Sequence, residues 1–210
     1  MARGKFFVFE GGEGCGKTTQ AKLLFEWLKK TGHDVLLTKE PGGDEGICRD
    51  IREILLNKNY SGRFSERTEL FLFEADRAQH VDFTIMPALE SGKIVISDRY
   101  EASTFAYQCG GRGISCGEFS RLNEFATKGL KPDFIFWLDI NPIIGLRRNM
   151  DAKKRDRLEM EDVAFHCRVR QGFIDYFDSL VNFNTWEHLS GRLSVKELHK
   201  EVLEIIKHFV

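Results

Sequence analysis

Residues 11–18 read GGEGCGKT and directly follow the apolar run FFVF. Gly11, Gly16, Lys17 and Thr18 fit the spacing GxxxxGK[ST]. Glycines let successive backbone N–H groups converge on one anion, and a following helix turns its N-terminal dipole toward the same anion. The pattern predicts a loop that binds nucleotide phosphates, with Lys17 bridging the β- and γ-phosphates and Thr18 ligating Mg²⁺. A glycine-rich turn with a surface lysine is the simpler alternative.

Composition favours a soluble globular protein with one domain over residues 1–210. The 210 residues are 42% hydrophobic and 30% charged, with a net charge of -1, so no overall field favours nucleic acid or membranes. The sequence contains no apolar stretch long enough to span a bilayer. The five scattered cysteines lack CxxC pairs, which predicts a reducing, cytoplasmic setting without a disulfide framework or zinc site.

Short apolar runs alternate with segments whose apolar residues recur at three and four positions. This alternation predicts a three-layer α/β domain, with a parallel sheet of five strands flanked by helices. Gly32, Gly92 and Gly129 fall where helices should stop, and a serine precedes the last helical segment. The predicted strands are residues 6–9, 35–37, 94–96, 134–138 and, more weakly, 183–189.

Two further features bear on what the nucleotide is used for. Asp98 and Arg99 follow the third predicted strand, at the end where open α/β sheets place their sites. Asp98 could hold Mg²⁺ or accept a proton, and Arg99 could reach a phosphate, although a structural ion pair would look the same. Phe73 and Arg77 share a helix face, where they could stack on and read a base, or belong to the core.

Several motifs in order resemble the thymidylate kinases, P-loop nucleoside monophosphate kinases that phosphorylate dTMP with ATP. The motifs are FFVFEGGEGCGKTTQAKLL, TKEPGG, FLFEADRAQH, SDRYEASTFAYQ, LDINP and DRLE, which cover almost the whole chain. The resemblance implies a P-loop NTPase fold with a small mobile lid, Mg²⁺ with ATP as phosphoryl donor, and a homodimer formed through helices that include FLFEADR.

The resemblance also assigns roles to individual positions. Residues expected on the ATP side are Gly11, Gly12, Glu13, Gly14, Cys15, Gly16, Lys17, Thr18, Thr19 and Arg148, with Thr18 and Asp98 near the metal. Residues expected to bind dTMP are Glu13, Glu40, Arg52, Phe73, Arg77, Arg99, Thr104, Tyr107 and Gln108. Among these, Glu13 would point away from ATP toward the acceptor sugar, which explains an acidic residue in a phosphate-binding loop.

Arginines are needed where two anionic nucleotides meet. The loop GGEGCGKT contains none, so the basic segment 148–157 resembles the lid of the bacterial type. Arg148 would stack on adenine. Arg155, ahead of Lys153 and Lys154, would contact the transferred phosphoryl group and complete a catalytic set with Lys17, Asp98 and Arg99. A solvated basic edge is the alternative.

Three functional hypotheses remain open on the residues alone. A dTMP kinase stands first, a kinase of another nucleotide or a deoxynucleoside second, and a nucleotide-dependent switch or ATPase third. The switch leaves Glu13, Arg52 and Arg77 without roles. Cys15 is expected to be a small residue that fits a tight loop, with a redox role as the alternative.

Overall fold

A computed structural model of the chain describes residues 3–44, 46–150, 156–180 and 184–210. Its centre is a five-stranded sheet of order β2-β3-β1-β4-β5, in which every pair of neighbours is parallel. The predicted parallel sheet is therefore confirmed. The strands are β1 Phe6–Glu10, β2 Val35–Lys39, β3 Ile94–Asp98, β4 Phe134–Asp139 and β5 Trp186–Ser190.

Helices cover both faces of the sheet. All five residues of β1 are buried, and they alternate between two apolar clusters, with Phe6 and Val8 in one and Phe7 and Phe9 in the other. A strand buried on both faces has no polar alternation, which is why these runs are continuously apolar. The helices are α1 Lys17–Lys30, α2 Ile47–Leu56, α3 Glu66–His80, α4 Met86–Glu90, α5 Glu101–Thr104, α6 Cys116–Thr127, α7 Pro142–Met150, α8 Val163–Asp178 and α9 Val195–Ile206.

Residues 66–90 have apolar residues at helical spacing, but they do not form one continuous α-helix. A five-residue π-helical turn, Val81–Ile85, separates α3 from α4, and the Met86 N–H bonds to the Val81 carbonyl oxygen. Pro87, in the first turn of α4, has no N–H to donate. The backbone hydrogen bonds therefore span one more residue just before the proline than they do in α3.

The predicted helix ends are confirmed. Gly32, Gly92 and Gly129 each have a positive φ and lie two residues beyond the last residue of α1, α4 and α6. Ser194 caps α9 through a reciprocal hydrogen-bonded box with Glu197. Within the described ranges, no helix has the length and apolarity needed to cross a bilayer.

Candidate active site

The phosphate loop joins the carboxyl end of β1 to the first turn of α1. Gly16 caps the helix with φ 105°, a left-handed conformation that glycine adopts without strain, and α1 begins at Lys17. Lys17 is buried, and its Nζ donates to the carbonyl oxygen of Gly12 at 2.6 Å. The loop thus combines a helix N-terminus with an ammonium group, an arrangement suited to phosphate.

The loop also touches α7 through two glycines. A Cβ on Gly14 would lie 2.1 Å from the carbonyl oxygen of Gly145, and a Cβ on Gly145 would lie 2.1 Å from the carbonyl oxygen of Glu13. Neither position has room for a side chain. On the same helix, Arg148 Nη1 donates to the carbonyl oxygens of Gly191 at 2.8 Å and Gly14 at 3.3 Å.

Asp98 ends β3 at the same edge of the sheet, as predicted. Its Oδ2 accepts a short hydrogen bond from Thr18 Oγ1, whereas its buried Oδ1 has no hydrogen-bond partner among the described residues. Carboxylate and hydroxyl oxygens are hard ligands of the kind that Mg²⁺ prefers. The described residues contain no cluster of three or more metal-binding side chains. This donor set fits a Mg²⁺ ion held largely by substrate phosphates and water.

Glu13 and Arg99 meet across the mouth of the loop. Arg99 Nη2 lies 2.6 Å from Glu13 Oε1, and the Tyr107 hydroxyl donates to the same oxygen at 2.5 Å. Arg99 Nη1 donates to the Gly11 carbonyl oxygen and to Ser103 Oγ, both at 3.0 Å. Burial alone would raise the pKa of Glu13, but Arg99, Lys17 and Tyr107 outweigh it and lower that pKa to about 2. Glu13 is therefore an anion with its charge already balanced.

The turn that carries Arg99 is held by a buried carboxylate. Arg99 has φ 78°, a conformation that costs a non-glycine residue energy. Glu10 Oε1 accepts from the N–H groups of Tyr100 at 2.8 Å and Ser103 at 3.1 Å, and Oε2 accepts from Ser103 Oγ at 2.5 Å. Burial raises the pKa of Glu10 to about 7, against the lowering effect of these hydrogen bonds and Arg99. Sequence analysis did not single out Glu10.

Arg77 sits in the wall of the site with all its nitrogens engaged. Its Nε and Nη2 donate to Glu40 Oε2 at 2.9 and 2.8 Å, and Nη2 also donates to Thr104 Oγ1 at 2.9 Å. Its Nη1 donates to Glu74 at 3.2 Å and to Asn123 at 3.1 Å. Burial would raise the pKa of Glu40, but Arg77 and neighbouring groups lower it. The guanidinium is thus fixed by a buried network that includes Glu74 and Asn123, which sequence analysis did not single out.

Arg52 and Phe73 border the same space from α2 and α3. Arg52 Nη1 donates to the Pro41 carbonyl oxygen at 2.6 Å, and no ion pair of Arg52 is present within the described part of the chain. Phe73 is half-buried against the apolar cluster that contains Phe6. Both residues therefore have a free side toward the cavity that they line.

A single cavity of about 520 Å³ connects these groups. Expected site residues in its lining are Glu13, Gly14, Gly16, Lys17, Thr18, Thr19, Glu40, Arg52, Phe73, Arg77, Asp98, Arg99, Thr104, Tyr107 and Arg148. Lining residues that sequence analysis gave no role are Lys39, Pro41, Leu56, Tyr100, Ser103, Asn149, Asp156, Leu158 and Glu159. Lys39 could have been expected in the site, because it ends β2 and ligands bind at the carboxyl edge of parallel sheets.

The remaining expected residues lie elsewhere or outside the described ranges. Gly11, Gly12 and Cys15 belong to the loop but do not line this cavity, and the buried Cys15 Sγ lies 3.5 Å from Lys17 Nζ. Gln108 is fully buried and donates through Nε2 to Glu69 at 2.8 Å. The lid residues Lys153, Lys154 and Arg155 fall outside the described residues.

The sheet order, with the glycine-rich loop after its central strand, defines the class of P-loop nucleotide kinase-like proteins. The sequence model of the thymidylate kinase family matches residues 9–202. The thymidylate kinase of Nostoc sp. is 45% identical over 204 residues, covering 97% of this chain and 95% of that protein. Those of Sulfurihydrogenibium sp. and Thermoanaerobacter sp. are 42% and 38% identical, covering 97% and 99% of this chain and 97% and 100% of their own lengths. The chain belongs to the thymidylate kinase family.

Proposed function

We propose that the protein transfers the γ-phosphoryl group of ATP to dTMP, giving ADP and dTDP. One observation carries the proposal: a single cavity is bordered on one side by the phosphate loop and on the other by Arg52, Phe73 and Arg77. A switch or plain ATPase needs no second set of side chains suited to a nucleotide. Family membership and the names of the relatives support the same reaction.

On the donor side, the loop Gly11–Gly12–Glu13–Gly14–Cys15–Gly16 and the following Lys17, Thr18 and Thr19 hold the ATP phosphates, and Arg148 stacks on adenine. Lys17 neutralises charge on the transferred group. Thr18 and Asp98 hold Mg²⁺, which supplies charge neutralisation on the β- and γ-phosphates when it is bound. The unpartnered Oδ1 of Asp98 supports this metal position.

On the acceptor side, Phe73 stacks on thymine while Arg77 and Thr104 meet its polar edge. All five N–H groups of Arg77 donate within the protein, which fixes the guanidinium before substrate binds and limits the entropy lost on binding. A base oxygen would have to share one of these donors. The resemblance assigns Gln108 to the base. Its side-chain amide already donates to Glu69, so the base would have to share that amide with Glu69.

Two arginines, Arg52 and Arg99, hold the dTMP phosphate. The resemblance assigns Glu40 to ordering that site, and its carboxylate binds Arg77 and His80. Glu13 and Tyr107 face the sugar, where Tyr107 disfavours a 2′-hydroxyl. The hydrogen bond between them supports a common position at the deoxyribose. Transfer then depends on positioning and charge neutralisation rather than covalent catalysis.

The chain would act as one domain over residues 1–210, with a lid over 148–157 that closes on ATP and excludes water. Arg155, ahead of Lys153 and Lys154, would contact the transferred phosphoryl group. This part of the proposal rests on the resemblance, since residues 151–155 lie outside the described ranges.

We also propose a cytoplasmic homodimer. The five cysteines are free, as a reducing compartment requires. The packed helices α3 and α6 expose Phe71 and Phe125, with 57% and 86% of their surfaces accessible. A second copy of the chain covering these rings would explain both. Molar mass in solution should be that of two chains, and Phe125→Glu should lower it toward one.

The decisive experiment measures ADP release with ATP and Mg²⁺ in the presence of dTMP, dUMP, dCMP, dAMP or no acceptor. The proposal expects release that requires an acceptor and strongly prefers dTMP. Slow release that is indifferent to every acceptor would overturn it in favour of an ATPase. Preference for another monophosphate would keep the kinase and withdraw the assignment of thymine.

A further inference from the structure

Lys39 is a cation at the reaction edge of the sheet to which no role has been given. It is the last residue of β2, and its backbone is paired in register with that of Asp98 on β3. It lines the main cavity together with Arg52 and Arg99. It also lines an adjoining cavity of about 250 Å³, shared with Thr18, Lys22 and Asp98. Its side chain therefore borders the space between the metal position and the acceptor-phosphate position.

Lys39 and its neighbour Arg52 lack direct ion-pair partners within residues 3–44, 46–150, 156–180 and 184–210. Partial burial lowers the pKa of Lys39, and repulsion from Arg52 and Lys22 lowers it further, against the attraction of Asp98. Asp156, Asp76 and Asp98 attract Arg52 without forming ion pairs with it. A bound anion would relieve the repulsion between the two cations by direct contact.

The chemistry of transfer calls for such a charge. An oxygen of the acceptor phosphate forms a bond to the γ-phosphorus, the bond to the bridging oxygen breaks, and its electron pair stays on ADP. Negative charge is concentrated on the oxygens between the two nucleotides throughout this exchange. The loop GGEGCGKT has no arginine to meet it. A lysine suits this place because its compact ammonium on a flexible stem can follow oxygens that move.

We propose that Lys39 binds the phosphoryl oxygens where the donor and acceptor phosphates meet, and stabilises their charge during transfer. The inference rests on the proposed function and adds a residue to it. Lys39 exchanges no proton in the step and contributes charge alone. Lys17, in the loop, then neutralises charge on the ATP phosphates, and Lys39, at the end of β2, neutralises charge where the two nucleotides' phosphates meet.

The test compares Lys39→Met and Lys39→Arg with wild type, and Lys58→Met serves as a matched control on an exposed lysine outside both cavities. Lys39→Met should lower kcat at least about tenfold, while KM for dTMP changes less than about threefold. Lys39→Arg should recover part of kcat, and Lys58→Met should match wild type. Thermal unfolding of all the variants should coincide, since Lys39 makes no ion pair to lose.

A second readout separates charge at the junction from a general structural effect. A bisubstrate analogue that joins adenosine and thymidine through a polyphosphate should bind Lys39→Met at least about tenfold more weakly, whereas dTMP alone binds as to wild type. Wild-type protein without dTMP kinase activity would overturn the proposed function. If the wild type is active and Lys39→Met differs from it by less than about twofold in kcat and in analogue affinity, the role of Lys39 is wrong while the proposed function stands.

Discussion

The carboxylate of Glu13 and the guanidinium of Arg99 form an ion pair with a separation of 2.6 Å, although one follows β1 and the other follows β3. Each group lies at the carboxyl end of its strand, and these strands are neighbours in the sheet. An acidic residue can therefore occupy a phosphate-binding loop without repelling phosphate. Its charge is neutralised by Arg99, which we assign to the acceptor side of the cavity.

Replacing Glu13 with Gln tests this pair through acid stability. The pKa of Glu13 is about 2 in the folded protein, below its ordinary value of 4.5. The ionised form is thus favoured by folding, with a contribution of about 3 kcal/mol that is present above pH 4.5 and lost as pH falls toward 2. Urea unfolding at stepped pH should show wild type more stable than Glu13→Gln at pH 7, with the gap closing below pH 4.5. A gap independent of pH would contradict the ion pair.

The pKa of Glu10 is shifted in the opposite direction to that of Glu13. Its folded pKa is about 7, above the ordinary 4.5, so its protonated form is favoured by folding. Its stabilising contribution is complete below pH 4.5 and is lost as pH rises through 7, on the order of 3 kcal/mol. Glu10→Gln can keep the hydrogen bonds to Tyr100 and Ser103 without a charge.

The free energy of unfolding of Glu10→Gln, relative to wild type, should therefore rise between pH 4.5 and 8. Glu26→Gln, on an exposed face of α1, provides a control in which this difference stays flat. Equal pH profiles for wild type and Glu10→Gln would show that Glu10 is ionised throughout this range.

Changing Arg77 should affect both binding and stability. Arg77→Ala leaves Glu40 and Glu74 buried without their cation, which costs about 3–5 kcal/mol of stability. Arg77→Lys keeps a charge but loses the planar fork, so it should remain folded. In steady-state kinetics, its KM for dTMP should rise by a factor equivalent to about 1–3 kcal/mol, with KM for ATP unchanged. Normal dTMP kinetics in Arg77→Lys would remove Arg77 from base recognition.

Removing the ammonium of Lys17 should slow transfer with any acceptor. Lys17→Ala is expected to reduce kcat by about 10²-fold or more, because it deletes the charge that the loop directs at the transferred group. Lys30→Ala, at the exposed end of the same helix, should leave kcat unchanged. Equal kcat in Lys17→Ala and Lys30→Ala would contradict the assigned role of the loop lysine.

A glycine-to-alanine change should have opposite effects in two helices. Alanine normally stabilises a helix relative to glycine by about 1 kcal/mol. Gly117→Ala, in the first turn of α6, meets nothing closer than Ser115 Oγ at 3.7 Å and should raise the melting temperature. Gly145→Ala would place its Cβ 2.1 Å from the Glu13 carbonyl oxygen, so it should lower the melting temperature and weaken ATP binding. A stabilising Gly145→Ala would mean that the loop and α7 move apart freely.

The strands and helix ends could be predicted from the sequence because neighbouring residues determine them. Strands buried on both faces are continuously apolar, and glycines with positive φ end the helices, so both were recognised from the residues. The π-helical turn before Pro87 was missed because apolar spacing alone does not report which carbonyl accepts a given N–H. The weak fifth strand was expected at 183–189 and is found at Trp186–Ser190.

The site was less predictable because its contacts join distant parts of the chain. The phosphate loop and Asp98 each follow or end a single strand, and the structure places both at the strand ends where the sequence puts them. Asn123 reaches Arg77 from α6, 46 positions away in the sequence, and no local pattern marks it. Glu74 lies three residues before Arg77 on α3, so its helical spacing was the available indication. Glu10 follows the predicted strand 6–9 and was given no role, because its burial depends on the turn at Arg99 that donates to it.

The contact between Gly14 and Gly145 restricts how sequences with this loop can change over evolution. A side chain at Gly14 is blocked by the backbone of Gly145, and a side chain at Gly145 is blocked by the carbonyl oxygen of Glu13, so neither position can accept one while the loop and α7 stay in place. Relatives that lose one glycine must also have displaced α7, and with it Arg148. The two positions should therefore vary together or not at all, and an alignment of relatives would record this as a correlated pair.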